Sequence, residues 1–186
     1  MKTSVFIATS LDGFISRLDG SIDWLDQANS VVPPGEDCGY AAFMATIDVL
    51  VMGRNTYDLA RTFDEWPYGS TPVIVLSHRS LGMPDAISRT VSSSKESPGD
   101  LVARLSAQGA RHLYIDGGLT IQSFLRAGLI NALTITTIPV LLGEGRPLFG
   151  PLARDVQLAH VSTKTYDFGF VQKQYRVLNN RSSENP

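Results

Sequence analysis

Apolar positions along the chain fall into short blocks separated by glycine-containing turns. Ser4 to Ala8 is a β-rich apolar run and predicts a first strand. Ser10-Leu11-Asp12-Gly13 and Leu18-Asp19-Gly20-Ser21 each hold an Asp-Gly pair that favours positive φ. With Phe14-Ile15 as a brief strand or loop segment between them, this stretch predicts a structured loop. After Pro33-Pro34-Gly35, the residues Tyr40, Phe43, Met44 and Ile47 recur at helical spacing. Val49 to Met52 and Pro72 to Ser77 are continuous apolar runs, the pattern of parallel strands covered on both faces. Between them, Gly53-Arg54-Asn55-Thr56 is a turn leading to a helix over Tyr57 to Arg61.

Ser97 as N-cap, Pro98 at the first helical position and Asp100 in the first turn open a helix. Its stripe is Leu101, Val102 and Leu105, and Gly109 stops it. His112 to Ile115 is the next strand. Asp116-Gly117-Gly118 follows, and Thr120 is positioned to cap a helix with Ile121, Phe124, Leu125 and Leu129 on one face. From Ala132 onward strands dominate, over Leu133 to Ile138, Val156 to Thr165 and Val171 to Leu178. A late run of strands after alternating strands and helices predicts antiparallel additions to a mixed sheet. Long apolar edges such as Leu133 to Leu142 are expected to be protected by pairing, and residues 179–186 read as a polar tail.

The chain has 186 residues, 43% of them hydrophobic, and a mean hydropathy of +0.01, which predicts one compact domain and excludes general disorder. Lys plus Arg number 16 and Asp plus Glu 18, a net charge of −2. That balance offers no electrostatic footprint for a nucleic acid or an anionic membrane, so neither is expected as a partner. The first apolar run is too short for a signal-peptide core or a spanning helix, and the mature protein is expected to begin there. A single cysteine, Cys38, has no partner for a disulfide or a Cys-x-x-Cys site, which suits a reducing cytoplasm, and no metal is expected.

Two strand-to-helix junctions carry glycine, Met52-Gly53-Arg54-Asn55-Thr56 and Ile115-Asp116-Gly117-Gly118-Leu119-Thr120. Each presents backbone N–H groups and a positive helix end to an anion, and two such ends suit a pyrophosphate. Glycines also stop strands and open helices in proteins without a ligand, and no G-x-G-x-x-G stands in place here.

Taken in order, Thr9-Ser10-Leu11-Asp12-Gly13, Val51-Met52-Gly53-Arg54-Asn55-Thr56-Tyr57, Val75-Leu76-Ser77-His78-Arg79 and Ile115-Asp116-Gly117-Gly118, with Phe124-Leu125 and Gly128-Leu129-Ile130 after them, resemble the dihydrofolate reductase superfamily. With Pro139 to Gly145 added, the set is most similar to the reductase domain of the bifunctional riboflavin-pathway deaminase and reductase, and it spans about Lys2 to Leu178. The resemblance implies a single three-layer α/β/α domain over residues 1–178 with a mixed, mostly parallel sheet, no deaminase part, and a homodimer. It implies an NADPH-dependent reductase passing a hydride to a heterocyclic or pyrimidine ribosylamine phosphate substrate. Pterin reduction of the dihydrofolate reductase type, and a non-catalytic nucleotide-binding module, remain alternatives.

By that resemblance Gly53, Arg54, Asn55 and Thr56 meet the cofactor phosphates. Gly117, Gly118 and Leu119 allow close backbone approach, and Thr120 donates nearby. Ser77, His78 and Arg79 lie beside the adenosine 2′-phosphate, consistent with the way a hydroxyl, an imidazole and a guanidinium hold a phosphate dianion, and they imply a preference for NADPH over NADH. Asp12 is the candidate catalytic or substrate-orienting carboxylate, with a simple Asp-Gly turn as its alternative. Glu36 and Asp37 are the nearest equivalents of the acid that dihydrofolate reductases place on the first helix. Trp24 is a candidate cover for the substrate site, and Asp116 stands where the riboflavin-pathway reductases often carry Glu. Trp66 and Tyr68 read as a surface turn, His112 and His160 as structural, and Gly143-Glu144-Gly145-Arg146 as a loop near substrate or partner.

Overall fold

The computed structural model describes residues 1–82 and 84–178; the expected tail, 179–186, lies outside them. In chain order the elements are β1 (Lys2–Ser10), β2 (Phe14–Ser16), α1 (Asp23–Asn29), α2 (Tyr40–Met44), β3 (Val49–Gly53), α3 (Arg54–Ala60), β4 (Val73–Leu76), β5 (Val91–Ser94), α4 (Pro98–Ala107), β6 (His112–Asp116), α5 (Gly118–Arg126), β7 (Ala132–Ile138), β8 (Arg146–Pro147), β9 (Leu158–Thr165) and β10 (Val171–Val177). Eight strands form one sheet in the order β5-β4-β3-β6-β1-β7-β10-β9, and β2 pairs with β8 in a separate two-stranded ribbon. The pairs from β5 through β7 are parallel, while β10 is antiparallel to both β7 and β9. This is the mixed sheet that the switch to consecutive strands predicts.

Side-chain alternation divides the core into two faces. Val51, Ile74, Leu113 and Ile115 pack with Leu101 and Leu105 of α4 and Ile121, Phe124 and Leu125 of α5. Their neighbours Leu50, Met52, Val73, Val75 and Tyr114 point the other way, toward Tyr57 of α3 and Tyr40, Phe43 and Met44 of α2. A third cluster on that second side joins Trp24 of α1 to Ile138, Tyr166 and Phe170. Helices cover both faces of the sheet, which gives three layers.

Four expectations change. The Leu133 to Leu142 stretch is not an edge, because β7 runs between β1 and β10; the free edges are β5 and β9. The helix over Tyr57 to Arg61 begins at Arg54, directly after β3. Thr120 is not a cap: α5 starts at Gly118 with Gly117 at the N-cap, and Thr120 is buried inside the first turn. Trp66 and Tyr68 are not a bare surface turn but pack against the second core cluster, Trp66 with its ring 6.1 Å from Tyr57 and 5.1 Å from Tyr68. Propensity cannot see this last arrangement, since both aromatics lie outside any regular element.

Candidate active site

Parallel strands place their C-terminal ends along one rim, so the loops after β1, β3, β4 and β6 gather there. Met52 is in register with Asp116, which sets the two glycine turns side by side. Their packing is tight. A Cβ at Gly53 would stand 2.8 Å from the Thr120 hydroxyl oxygen, and one at Gly117 would run into the Thr56 hydroxyl. Glycine at both positions therefore lets α3 and α5 bring their N-termini together. The amides of Gly118, Leu119 and Thr120 begin α5 without intrahelical acceptors, and Leu119 beside them is 72% exposed.

Arg54 is already engaged: its Nε donates to Asp58 at 2.7 Å and its Nη1 to the Ser80 carbonyl at 3.0 Å. That second bond ties α3 to the loop after β4. In that loop Ser77 accepts from the Arg79 amide and donates to the Arg79 carbonyl, leaving the His78 and Arg79 side chains exposed. Beside them is a cavity of about 390 Å³ lined by Ser77, His78, Ser94, Lys95, Ser97 and Ser123, among others. Glu96 also lines it, but Arg104 and Ser94 hold its carboxyl down to about 2 and occupy its oxygens. Nothing local in the sequence links Ser94, Lys95 or the helix cap Ser97 to Ser77; parallel pairing of β4 with β5 does so.

Asp12 is an anchor in this geometry. Its carboxylate accepts from the Ser10 hydroxyl at 2.6 Å and from the Leu142 and Gly143 amides at 3.1 and 2.8 Å, fastening the loop after β7 to the turn after β1. The Ser10 bond, with those amides, holds its pKa below the ordinary carboxylate range against modest desolvation. Trp24 packs at the ends of β1 and β7, in one cluster with Ala8, Val140 and Leu142, the last in the loop that Asp12 holds. Trp24 is buried among Ile138, Tyr166 and Phe170. Glu36 and Asp37 lie in the loop ahead of α2 rather than on a helix; Glu36 accepts from the Cys38 amide, and Asp37 from the amides of Ala41 and Gly39, which lower its pKa.

Asp116 behaves oppositely to Asp12. It closes the buried strand β6 and accepts from the Gly117 amide at 2.8 Å, and the hydroxyls of Tyr114 and Tyr68 face it. Burial outweighs these bonds and pushes its pKa up to about 6. Burial and the nearby Asp116 also raise Tyr40, to about 12, and Tyr68. An acid at the end of an apolar strand, directly before Gly-Gly, was the sequence signal available for this group.

A family model described as the RibD C-terminal domain matches residues 2–171. The chain belongs to the RibD C-terminal domain family. The uncharacterised protein YwjB of Bacillus subtilis (strain 168) is 36% identical over 169 residues, covering 89% of this chain and 92% of that protein. The structure of a Shewanella sp. PV-4 protein, assigned by name alone to riboflavin biosynthesis, has a TM-score of 0.89 and 42% identity over 96% of this chain and all of that one. A diaminohydroxyphosphoribosylaminopyrimidine deaminase/5-amino-6-(5-phosphoribosylamino)uracil reductase from Thermotoga maritima gives a TM-score of 0.73 at 12% identity, over 95% of this chain and 56% of that one. At that identity the likeness speaks to the fold. This RibD C-terminal domain has the three-layer, dihydrofolate-reductase-like architecture. None of its described helices is long and apolar enough to cross a membrane.

The chemistry of the rim fits a dinucleotide with an additional phosphate. Two adjoining helix N-termini suit its pyrophosphate, and the Ser77, Ser94 and Lys95 cavity next to them suits a further phosphate.

Proposed function

We propose that this RibD C-terminal domain is an NADPH-dependent reductase that passes a hydride to a nitrogen heterocycle of the pyrimidine type. The observation that carries the reading is the juxtaposition of the packed Gly53 and Gly117 turns with a cavity holding Ser77, His78 and Lys95. When bound, the cofactor supplies the hydride; the protein positions the reacting carbon and supplies charge and protons. Gly118, Leu119 and Thr120 hold the pyrophosphate, with Gly53, Asn55 and Thr56 opposite. Ser77, His78, Arg79 and Lys95 hold the 2′-phosphate. Asp12, ionised at neutral pH, positions the loop after β7 rather than delivering a proton.

Fluorescence titration of the purified protein with NADPH and, separately, NADH tests this. NADPH is expected to bind at least about tenfold more tightly, since one charge-assisted phosphate bond is worth roughly 1.5–3 kcal/mol. Lys95→Ala is expected to weaken NADPH while sparing NADH. Equal affinities would remove the 2′-phosphate assignment, and no binding of either would remove the reductase reading. A homodimer in a reducing cytoplasm belongs to the same proposal, supported by the open edge at β9. Sedimentation equilibrium at micromolar concentration is expected to give twice the 20.2 kDa chain mass, and a monomer mass refutes the dimer.

A further inference from the structure

We infer that Asp58 sets how strongly the protein favours a cofactor carrying a 2′-phosphate, by fixing Arg54 against the loop after β4. The inference rests on the reductase reading and deepens its cofactor site. Asp58 follows Arg54 by four residues on α3, which puts both side chains on one face of the helix. Both carboxylate oxygens of Asp58 accept from the Arg54 Nε–H, at 2.9 and 2.7 Å. Tyr57 and Ala60 of the same helix are buried and hold it against the sheet, so the pair stands on a fixed base. With Nε held by the acid, Arg54 extends Nη1 to the Ser80 carbonyl at 3.0 Å, which lies 26 residues along the chain.

Ser80 ends the short loop that carries His78 and Arg79, and the start of that loop is fastened separately. The Ser77 amide donates to the Ser94 carbonyl at 3.0 Å, the Ser77 hydroxyl bonds both the amide and the carbonyl of Arg79, and Leu81 is buried in the second core cluster. His78 and Arg79 are exposed between these ties, and Ser77 and His78 line the cavity of about 390 Å³. Neither Arg54 nor Asp58 lines it. The pair therefore bears on that cavity through the loop, which makes Asp58 a positioning residue. A phosphate that draws on His78 and Arg79 must order their side chains and the backbone beneath them, and each freedom removed beforehand lowers the cost of binding. NADH makes no such demand, because it lacks the group those side chains meet. An unpaired acid on this rim would repel a phosphate, and the ion pair with Arg54 offsets its charge. The Asp58 side chain is 46% exposed, so solvent screens the pair and its effect belongs to binding more than to folding.

The test is fluorescence titration of the full chain with NADPH and with NADH, in the parent, Asp58→Ala, Arg54→Gln and the double variant. Asp58→Ala is expected to weaken NADPH about three- to tenfold while NADH changes less than about twofold. In the Arg54→Gln background the same substitution is expected to cause no weakening, because the group it acts through is gone. The urea midpoint of Asp58→Ala is expected to stay near that of the parent, which separates a binding effect from a folding one.

Equal losses of NADPH and NADH affinity in Asp58→Ala overturn the positioning role, since a disturbed α3 moves both cofactors alike. Unchanged NADPH affinity overturns it too, and tighter NADPH binding shows that the acid withholds Arg54 from the phosphate instead of securing the loop. Losses that add in the double variant place the effect of Asp58 outside Arg54 and also overturn it. A parent that binds both cofactors equally removes the 2′-phosphate assignment itself, and a parent that binds neither is the failure of the reductase reading.

Discussion

Asp12 and Asp116 each precede a glycine, yet their surroundings drive them in opposite directions. Asp12 is exposed and receives a hydroxyl and two amides, all of which favour its ionised form. Asp116 receives the Gly117 amide and faces the Tyr114 and Tyr68 hydroxyls, but it ends a strand whose other residues are buried, and that burial outweighs them, so its neutral form gains. Gly117, next to it, has φ +85° and ψ 133°, a combination that side chains disfavour. Gly117→Ala adds backbone strain of roughly 1–3 kcal/mol and drives a methyl group into Thr56. A lower urea midpoint together with weaker NADPH binding is expected. A variant matching the parent in both would show that neither the positive φ nor the close approach of α3 and α5 matters.

Elements were legible where their signals are local. Ser97 caps α4 by accepting from the Asp100 amide, with Pro98 behind it, as the sequence indicates. The apolar runs at Val49 and Val73 became buried parallel strands. Phe14-Ile15 read as a brief strand or loop segment, but its pairing with β8 was not legible, because the ribbon joins three residues to two across some 130 positions of chain. Asp12 and Arg146 secure that ribbon from both sides, Asp12 through Leu142 and Gly143, Arg146 through the Leu18 carbonyl. Gly145 lies between them, where a Cβ would stand 2.5 Å from the Ser16 carbonyl oxygen. The ribbon in turn meets α5, since a Cβ at Gly118 would stand 2.8 Å from Ile15 and 3.4 Å from the Pro147 carbonyl oxygen. Glycine therefore serves assembly here as much as any ligand.

Across the whole molecule, His112 stitches β6 to β1 and to the end of the α2 segment: its ring nitrogens meet the Ser4 hydroxyl at 2.7 Å and the Thr46 hydroxyl at 3.1 Å. Burial, aided by Lys2, holds its pKa below the ordinary histidine value, so folding favours the neutral ring. The unfolded chain then takes up a proton first as pH falls through its own value near ~6.5, and stability, full above that pH, declines below it. Asp116, raised to about 6, acts in the opposite sense over the same range, so the His112 contribution is read as a difference: as pH falls from about 7.5 to 5.5 the urea midpoint of the parent is expected to change less favourably than that of His112→Gln, and equal changes would dismiss the linkage. The alternation of apolar runs, glycine turns and helix caps by itself determined the α/β class, most strands, the α4 cap and the two phosphate-suited turns, because periodicity and capping act within a few residues. The interior place of β7, the Lys95 side of the cavity, the anchoring of Asp12 and the burial that raises Asp116 were decided only by the tertiary structure. Each depends on pairing or burial between residues far apart in sequence, and a residue's local neighbours carry no record of what the crossovers will place against it.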